Sequence, residues 1–195
     1  MKITVGLVFL GLVCVLINYN MNIGSSVVVD VLPDFVGYLL LCLSLEKVES
    51  SNRWFREARV FSTGMLVISV LAFIAQIRFF FSSWTGSIDS EVFAVFVKLL
   101  ESGLSHIDCI IYAVTMLFAA FFSLAMMSEA DSISRRGWSV TYTVFFLLYV
   151  VLAGAFVVLQ FIQLPFSPYL IALPVNIVFV LVFYYSTKTL NVFEN

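Results

Sequence analysis

The sequence predicts an all-α integral membrane protein, a bundle of about six transmembrane helices with one amphipathic helix on its outer side. Hydrophobic residues make up 62% of the 195 residues and charged residues only 11%, whereas a soluble domain has about 25% charged residues. Long apolar runs recur along the chain, and basic residues gather in the gaps between them. A globule of this size lacks the interior to bury so much apolar surface. We therefore exclude soluble enzymes, secreted domains and nucleic-acid-binding proteins.

The apolar runs form a single membrane domain over residues 1–195. A spanning helix needs about 20 mostly apolar residues, and none of the runs alternates as a barrel strand does. The first run is short and follows Lys2, but residues 18–22 offer no small-residue cleavage site, so we expect it to be retained. The predicted spans are 3–19, 27–45, 60–81, 107–127, 140–164 and 169–186.

The basic residues favour six spans with both termini in the cytoplasm. With the amino terminus inside, only Arg78 and Lys98 lie on the outer side, in keeping with the positive-inside rule. Leaving out the second span would place the arginines of 53–59 and 135–136 on opposite sides. The other eight of the ten basic residues lie inside: Lys2, Lys47, Arg53, Arg56, Arg59, Arg135, Arg136 and Lys188.

The segment between the third and fourth spans, residues 89–106, predicts an amphipathic helix. Charged residues such as Glu91 and Lys98 fall largely on one side of it. Two placements are open: the helix lies flat in the outer interface, or it packs on the ends of the bundle as a lid. Its apolar residues recur at helical spacing: Phe93, Phe96, Val97, Leu100 and Leu104.

The second span is unusual because it contains Asp30, Pro33 and Asp34. A helix would place the two carboxylates on one face, four residues apart. Each central Asp costs about 2.5–3.5 kcal/mol to insert, which roughly cancels the gain from the twelve Val, Leu and Phe residues of this span. We therefore expect neighbouring helices to hold this segment in place. Pro33 leaves an alternative, in which the helix starts at the proline and the span is broken or re-entrant.

Several polar residues are predicted to lie at the same depth as these carboxylates. Ionisable groups inside spans often mark binding sites or pathways. We expect an outward-opening pocket for a small cation or an amine-bearing solute, with Arg78 as the countercharge. The alternative is a buried ion pair that only locks the second span against the third. The candidate binding residues are Asp30, Asp34, Arg78, Asp108 and Asn176.

Catalytic signatures do not appear in the sequence. It contains no HExxH, no phosphate-binding glycine loop and no GxGxxG, and its three cysteines lack metal spacing. We expect no cofactor and no metal. The first hypothesis is a small transport or channel-like protein, and the second is a non-catalytic module that regulates or scaffolds a membrane partner or forms a homo-oligomer. A lipid-modifying enzyme is the weakest hypothesis because no nucleophile–base pair is visible.

One segment resembles a signature of a group of membrane proteins. It reads Asp30-Val-Leu-Pro-Asp34-Phe-Val-Gly37-Tyr38-Leu-Leu-Leu and follows a short first span and a polar turn. It is similar to a segment in small multi-pass membrane proteins of Gram-positive bacteria. The resemblance covers about 20 residues of the 195. It implies a bacterial plasma-membrane location and brings no activity with it.

Overall fold

The computed structural model describes residues 3–17, 20–23, 27–30, 34–48, 52–85, 91–159, 161–162 and 169–190. Side chains are described for 5–17, 34–48, 52–71, 73, 110–159, 161–162 and 170–190. Within these ranges the chain forms six helices and one antiparallel hairpin of two short strands. In chain order the elements are α1 (Ile3–Leu16), β1 (Asn20–Ile23), β2 (Val27–Asp30), α2 (Asp34–Leu45), α3 (Arg53–Thr85), α4 (Glu91–Ser132), α5 (Arg136–Val158) and α6 (Tyr169–Leu190).

The helices run alternately up and down. Helix α2 returns along α1, since Gly37 lies against Cys14 while Gly11 lies against Leu41. Helix α6 also runs antiparallel to α1, because it contacts the carboxyl end of α1 near its own start and the middle of α1 near its own end. Helices α3 to α5 alternate in the same way. The beginning of α1 and the end of α6 therefore lie at the same end of the bundle.

Every lysine and arginine whose side chain is described lies at that same end, which we call the basic end. The connections α2–α3 and α4–α5 meet there, since Asn52 Nδ2 donates hydrogen bonds to the Ala125 carbonyl and to Glu129 Oε1, both at 3.2 Å. The other end, which holds the hairpin connection, is called the opposite end. The basic residues are Lys47, Arg53, Arg56, Arg59, Arg135, Arg136 and Lys188.

The protein is a helical membrane protein, because several of its helices are long and apolar and expose large apolar side chains. Among the described residues three stretches are long and apolar enough to cross a bilayer: Ile110–Ser132, Arg136–Val158 and Leu170–Leu190. Their outward side chains are large and apolar; Val151 is 69% exposed and Leu170 is 75% exposed. Such a surface suits acyl chains rather than water. Helices α1 and α2 have 14 and 12 residues, or about 21 and 18 Å, against a hydrocarbon core of about 30 Å.

The core is built from aromatic rings around α4. Phe122 is fully buried, and its ring lies 5.5–6.2 Å from the rings of four other phenylalanines. Edge-to-face pairs of this kind stabilise a core beyond the area that they bury. These neighbours come from three helices, so α4 holds the bundle together: Phe55 of α3, Phe118 of α4, and Phe179 and Phe183 of α6.

The predicted second span, residues 27–45, is wrong as a single helix. Val27–Asp30 is a strand paired with Asn20–Ile23, and the helix begins only at Asp34. Asp30 and Asp34 therefore do not share a helix face. The proline explains the break, since Pro33 lacks a donor for a preceding helical turn. The break that the alternative expected near the proline is observed, with the helix starting one residue after it.

The separate amphipathic helix over residues 89–106 is also wrong. Helix α4 runs without a break from Glu91 to Ser132, so the amphipathic segment and the fourth span are one helix. Nothing between residues 104 and 110 stops a helix, since this stretch contains neither proline nor glycine. Other boundaries differ less. Helix α3 extends the third span into the basic segment 53–59, α5 ends at Val158, and α6 continues to Leu190.

Candidate functional site

The carboxyl end of α1 meets a buried amide deep in the bundle. The last carbonyls of a helix have no partner within it, and Asn176 Nδ2 donates a hydrogen bond of 2.8 Å to the Leu16 carbonyl. Asn176 is 4% exposed and lies seven residues, or about 10 Å, from the start of α6. Helix α1 therefore ends well inside the bundle.

Asp34 begins α2 at the opposite end of the bundle, near the carboxyl end of α1. A carboxylate in the first turn interacts favourably with the positive end of the helix dipole. The side chain is partly buried, and its Oδ1 is shielded from solvent. One turn further, the buried Tyr38 hydroxyl hydrogen-bonds Thr115 Oγ1 at 2.9 Å, and Thr115 also bonds the Ile111 carbonyl at 2.9 Å. These bonds fix α2, and Asp34 with it, against α4.

Two glycines set the depth of Asp34 relative to the end of α1. A Cβ on Gly37 would lie 2.9 Å from the Gly11 carbonyl oxygen and 2.8 Å from Cys14 Cβ. A Cβ on Gly11 would lie 3.0 Å from the Gly37 carbonyl oxygen. Only glycine permits the two backbones to approach this closely. Asp34 is one turn beyond Gly37, which places it beside the last turn of α1.

The described side chains of two predicted site residues flank α1. Asp34 is on α2 and Asn176 is on α6, and α1 packs against both helices. The structure thus places both residues around the carboxyl end of α1. Asn176 Oδ1 is buried and accepts no hydrogen bond among the described groups. A buried amide oxygen in a membrane protein requires a donor, so this position suits a ligand or water that donates one.

The other predicted site residues are described by backbone alone. Asp30 ends β2 and pairs in register with Asn20. Arg78 lies in α3, five residues beyond Phe73, whose ring is 4.7 Å from that of Phe35. Both positions are therefore at the opposite end of the bundle.

Asp108 lies in α4, seven residues before Thr115, which is the residue that contacts Tyr38. It too belongs to the opposite end. The side chains of Asp30, Arg78 and Asp108 lie outside the described ones, and the expected countercharge at Arg78 stays a prediction.

Toward the basic end the bundle is filled by aromatic side chains. Tyr149 is fully buried, with its ring 5.3 Å from Phe179, which lies three residues from Asn176. Tyr142 hydrogen-bonds Ser186 still further toward that end. Among the described residues, these rings lie between the level of Asn176 and the basic end.

Sequence reasoning missed two features that build this site. The hairpin has a usable signal, since Val27–Asp30 begins with three β-branched residues, and a glycine with two serines separates it from Asn20–Ile23. The Tyr38–Thr115 bond has none, because the partners are 77 positions apart. Among the described side chains, no three His, Cys, Asp or Glu residues cluster as metal ligands.

Comparison of the chain with protein-family models, curated proteins and solved structures found no match. What the protein does is therefore inferred from its own geometry and charge.

Proposed function

We propose that this protein binds a small cation or an amine-bearing solute at Asp34, from the outer side of the membrane, as the binding step of a transport function. The observation that supports this most directly is the position of the Asp34 carboxylate. It lies inside the bundle, beside the end of α1, with Oδ1 shielded from solvent. A carboxylate at this position would attract a positive charge.

We infer that the chain crosses the plasma membrane of a bacterium six times, with both termini in the cytoplasm. The clustering of the described basic side chains at one end supports this, since positive residues accumulate on the cytoplasmic side. Helices α1 and α2 are too short to cross alone. Their antiparallel pairing and the hairpin between them are consistent with one crossing each, completed by non-helical chain that neighbouring helices shelter.

The negative charge on Asp34 is costly to hold within a membrane. A carboxylate near the middle of a bilayer costs about 2.5–3.5 kcal/mol even in insertion experiments, and such residues usually pair with a cation or lie at a functional site. The dipole of α2 stabilises this charge by about 0.3–1 kcal/mol. A cationic ligand would be attracted both by the carboxylate and by the carboxyl end of α1.

The packed aromatic interior favours binding over an open channel. Tyr142, Tyr149 and Phe179 are fully buried, and their rings pack between the level of Asn176 and the basic end. A transport cycle would therefore need a second conformation that opens this side. The binding step is accordingly the part of the proposal that can be tested first.

The test measures thermal stabilisation by a ligand in the purified full-length protein. Sodium chloride and methylammonium chloride are titrated in detergent, with ionic strength held by tetrapropylammonium chloride. A ligand at 100 times its Kd stabilises the folded state by about 2.7 kcal/mol, which raises Tm by roughly 5–11 °C for a chain of this size. We expect Asp34→Asn to abolish this rise.

The matched control is Asp131→Asn, which makes the same chemical change at an exposed position of the basic end. We expect it to keep the full rise in Tm. If Asp34 has only a structural role, Asp34→Asn will change Tm without ligand, and neither salt will stabilise the unmodified protein. That result would refute the proposal.

A second candidate function is a non-catalytic module that docks a membrane partner or a second copy. One observation favours it, the length of α4. Its 42 residues extend about 63 Å, twice the thickness of the hydrocarbon core. Tyr112 stacks on Phe156, two residues from the end of α5, so some 20 residues of α4 (91–111) extend beyond that end.

Cross-linking of intact cells followed by mass spectrometry distinguishes this candidate from the first. Recovery of one stoichiometric partner linked to α4 residues 91–109 would support the docking module. A chain that forms no such link and still responds to a cation through Asp34 would support solute binding alone.

A further inference from the structure

The turn between α4 and α5 forms a cleft at the basic end of the bundle. The cleft is shallow and largely open, and its lining is Ser134, Arg135, Arg136, Gly137, Trp138 and Thr141. Ser134 has a φ of 57°, a left-handed conformation that ends α4. The Arg135 amide then donates to the Ala130 carbonyl at 2.8 Å. This tight turn carries the chain directly into α5 and brings both arginines to the cleft.

The cleft places positive side chains at the amino end of α5, where a helix usually favours negative ones. The amino end of a helix carries a partial positive charge and favours anions, not cations. Here α5 begins with Arg136, and its N-cap is Arg135, which makes no side-chain capping bond. Arginine has no acceptor atom with which to cap. Two guanidinium groups and the helix dipole therefore repel one another unless an anion lies between them.

Among the described side chains, neighbouring carboxylates do not supply that anion. The described ion pairs hold Arg53 and Arg56 to Glu57, and Arg59 to Glu46. Arg135 and Arg136 belong to none of them, although acidic residues are near in sequence. Of these, Glu129 accepts a hydrogen bond from Asn52, and Asp131 is exposed. The arginine pair of the cleft is thus set apart from the other described arginines.

The cleft also lies at the edge of the lipid-facing surface. Trp138 is half-buried beside the arginines, as is common at the level of lipid headgroups. Immediately after it, Val140 and Val144 are 64% and 51% exposed and belong to the apolar outer face of α5. A ligand in the cleft would therefore have its charged part among the arginines and an apolar part along α5.

We propose that this cleft binds the phosphate of an anionic phospholipid headgroup, held by Arg135, Arg136 and the first amides of α5. The planar fork of arginine matches phosphate oxygens, and a helix amino terminus binds the same group. The inference is independent of the function proposed for Asp34. Free phosphate presents the same oxygens, so the experiment must distinguish the two sources.

The experiment uses the full-length chain with Trp54→Phe and Trp84→Phe, which leaves Trp138 as the only tryptophan. The protein is placed in phosphatidylcholine nanodiscs that contain increasing fractions of brominated phosphatidylglycerol, and bromine quenching of Trp138 fluorescence reports lipid in the cleft. Brominated phosphatidylcholine is the neutral comparison. We expect half-maximal quenching at a several-fold lower fraction of the anionic lipid.

The variants test whether the arginine pair is responsible. Each basic residue near an anionic headgroup contributes about 1 kcal/mol, and 1.4 kcal/mol is a factor of ten. Two such residues are worth up to roughly 25-fold, so Arg135→Gln with Arg136→Gln should abolish the several-fold preference for the anionic lipid. The control pair, Arg53→Gln with Arg56→Gln, removes the same charge at the same end and should retain the preference.

Three outcomes would overturn the proposal. Equal quenching by the two lipids would show that the cleft does not select a charged headgroup. Equal losses in both arginine pairs would show diffuse attraction to the surface. Relief of quenching by millimolar sodium phosphate would assign the cleft to a soluble anion instead of a lipid.

Discussion

Two parts of this bundle differ in the length of their helices relative to the thickness of a membrane. Helices α4 to α6 contain the three stretches that are long and apolar enough to cross alone, and aromatic rings centred on Phe122 hold them together. Helices α1 and α2 are short, and glycine lets their backbones touch. The long helices complete their hydrogen bonds internally, whereas the short pair ends inside the bundle and needs Asn176 to bond a free carbonyl.

This difference explains why polar groups collect at one level. A helix that ends at depth exposes carbonyls there, and a helix that begins at depth exposes amides. Both require polar partners, so Asn176 and Asp34 lie where α1 ends and α2 begins. The long helices have no such ends within the bundle. The comparison predicts that substitutions will act through ring packing in one region and through backbone contact or polar bonds in the other.

The largest effect is expected for Phe122→Ala in the long-helix region. Phe122 is fully buried among four other rings, and such a truncation costs about 3–5 kcal/mol through lost contact and the cavity left behind. Equilibrium unfolding in detergent micelles measures the change in free energy. Leu147→Ala, on a side chain that is 56% exposed toward lipid, should change stability by about 0.5 kcal/mol or less. Equal losses at the two positions would contradict the ring-centred core.

A smaller effect is expected for Gly37→Ala in the short pair. The new methyl group would meet the Gly11 carbonyl oxygen at 2.9 Å, so the helices must separate, at a cost of about 1–3 kcal/mol. The same unfolding assay measures it. Gly64→Ala is the control because nothing lies within 4 Å of a Cβ there. A neutral Gly37→Ala would show that α1 and α2 do not need this close approach.

The polar cap on α1 predicts a more local change. Asn176→Leu removes the bond to the Leu16 carbonyl and should cost about 1 kcal/mol. Hydrogen–deuterium exchange should rise in the last turn of α1, residues 13–17, and stay unchanged in α5. Ile177→Leu, at the neighbouring lipid-facing position, should leave both readouts unchanged. Unaltered exchange in the Asn176 variant would mean that α1 ends without this cap.

The smallest effect is expected at the bond that joins the two regions, between Tyr38 and Thr115. Tyr38→Phe removes one hydrogen bond of 2.9 Å between α2 and α4. Such bonds average about 0.6 kcal/mol in membrane proteins. A double-mutant cycle with Thr115→Val should return a coupling free energy of that size. A coupling of zero would show that the two hydroxyls contribute independently.

The sequence predicted the long helices well because hydropathy and length decide them. The three stretches that the structure finds long and apolar enough fall on predicted spans. Residues 53–59 extend α3 beyond the predicted third span. The joining of residues 89–106 to the fourth span was missed. Helical periodicity marks a helix face but not where a helix ends, and no stop signal lies between residues 104 and 110.

The candidate site was predicted less completely, for a physical reason. Asp34 and Asn176 were identifiable because polar groups within apolar runs stand out in a sequence. Their surroundings depend on contacts distant in the chain, such as the bond from Asn176 to the carbonyl of Leu16, 160 positions away. The break at Pro33 was an open alternative, and the shared helix face of Asp30 and Asp34 failed because of that break.

The most direct test of the account concerns the sidedness of the two ends. Single cysteines replace Asp34 at the opposite end and Ser134 at the basic end, in a chain whose own three cysteines are changed to alanine. Intact cells are treated with a membrane-impermeant trimethylammonium methanethiosulfonate, and labelling is measured before and after permeabilisation. We predict that position 34 is modified in intact cells and position 134 only after permeabilisation. Modification of position 134 alone in intact cells would contradict an acidic site open to the outside.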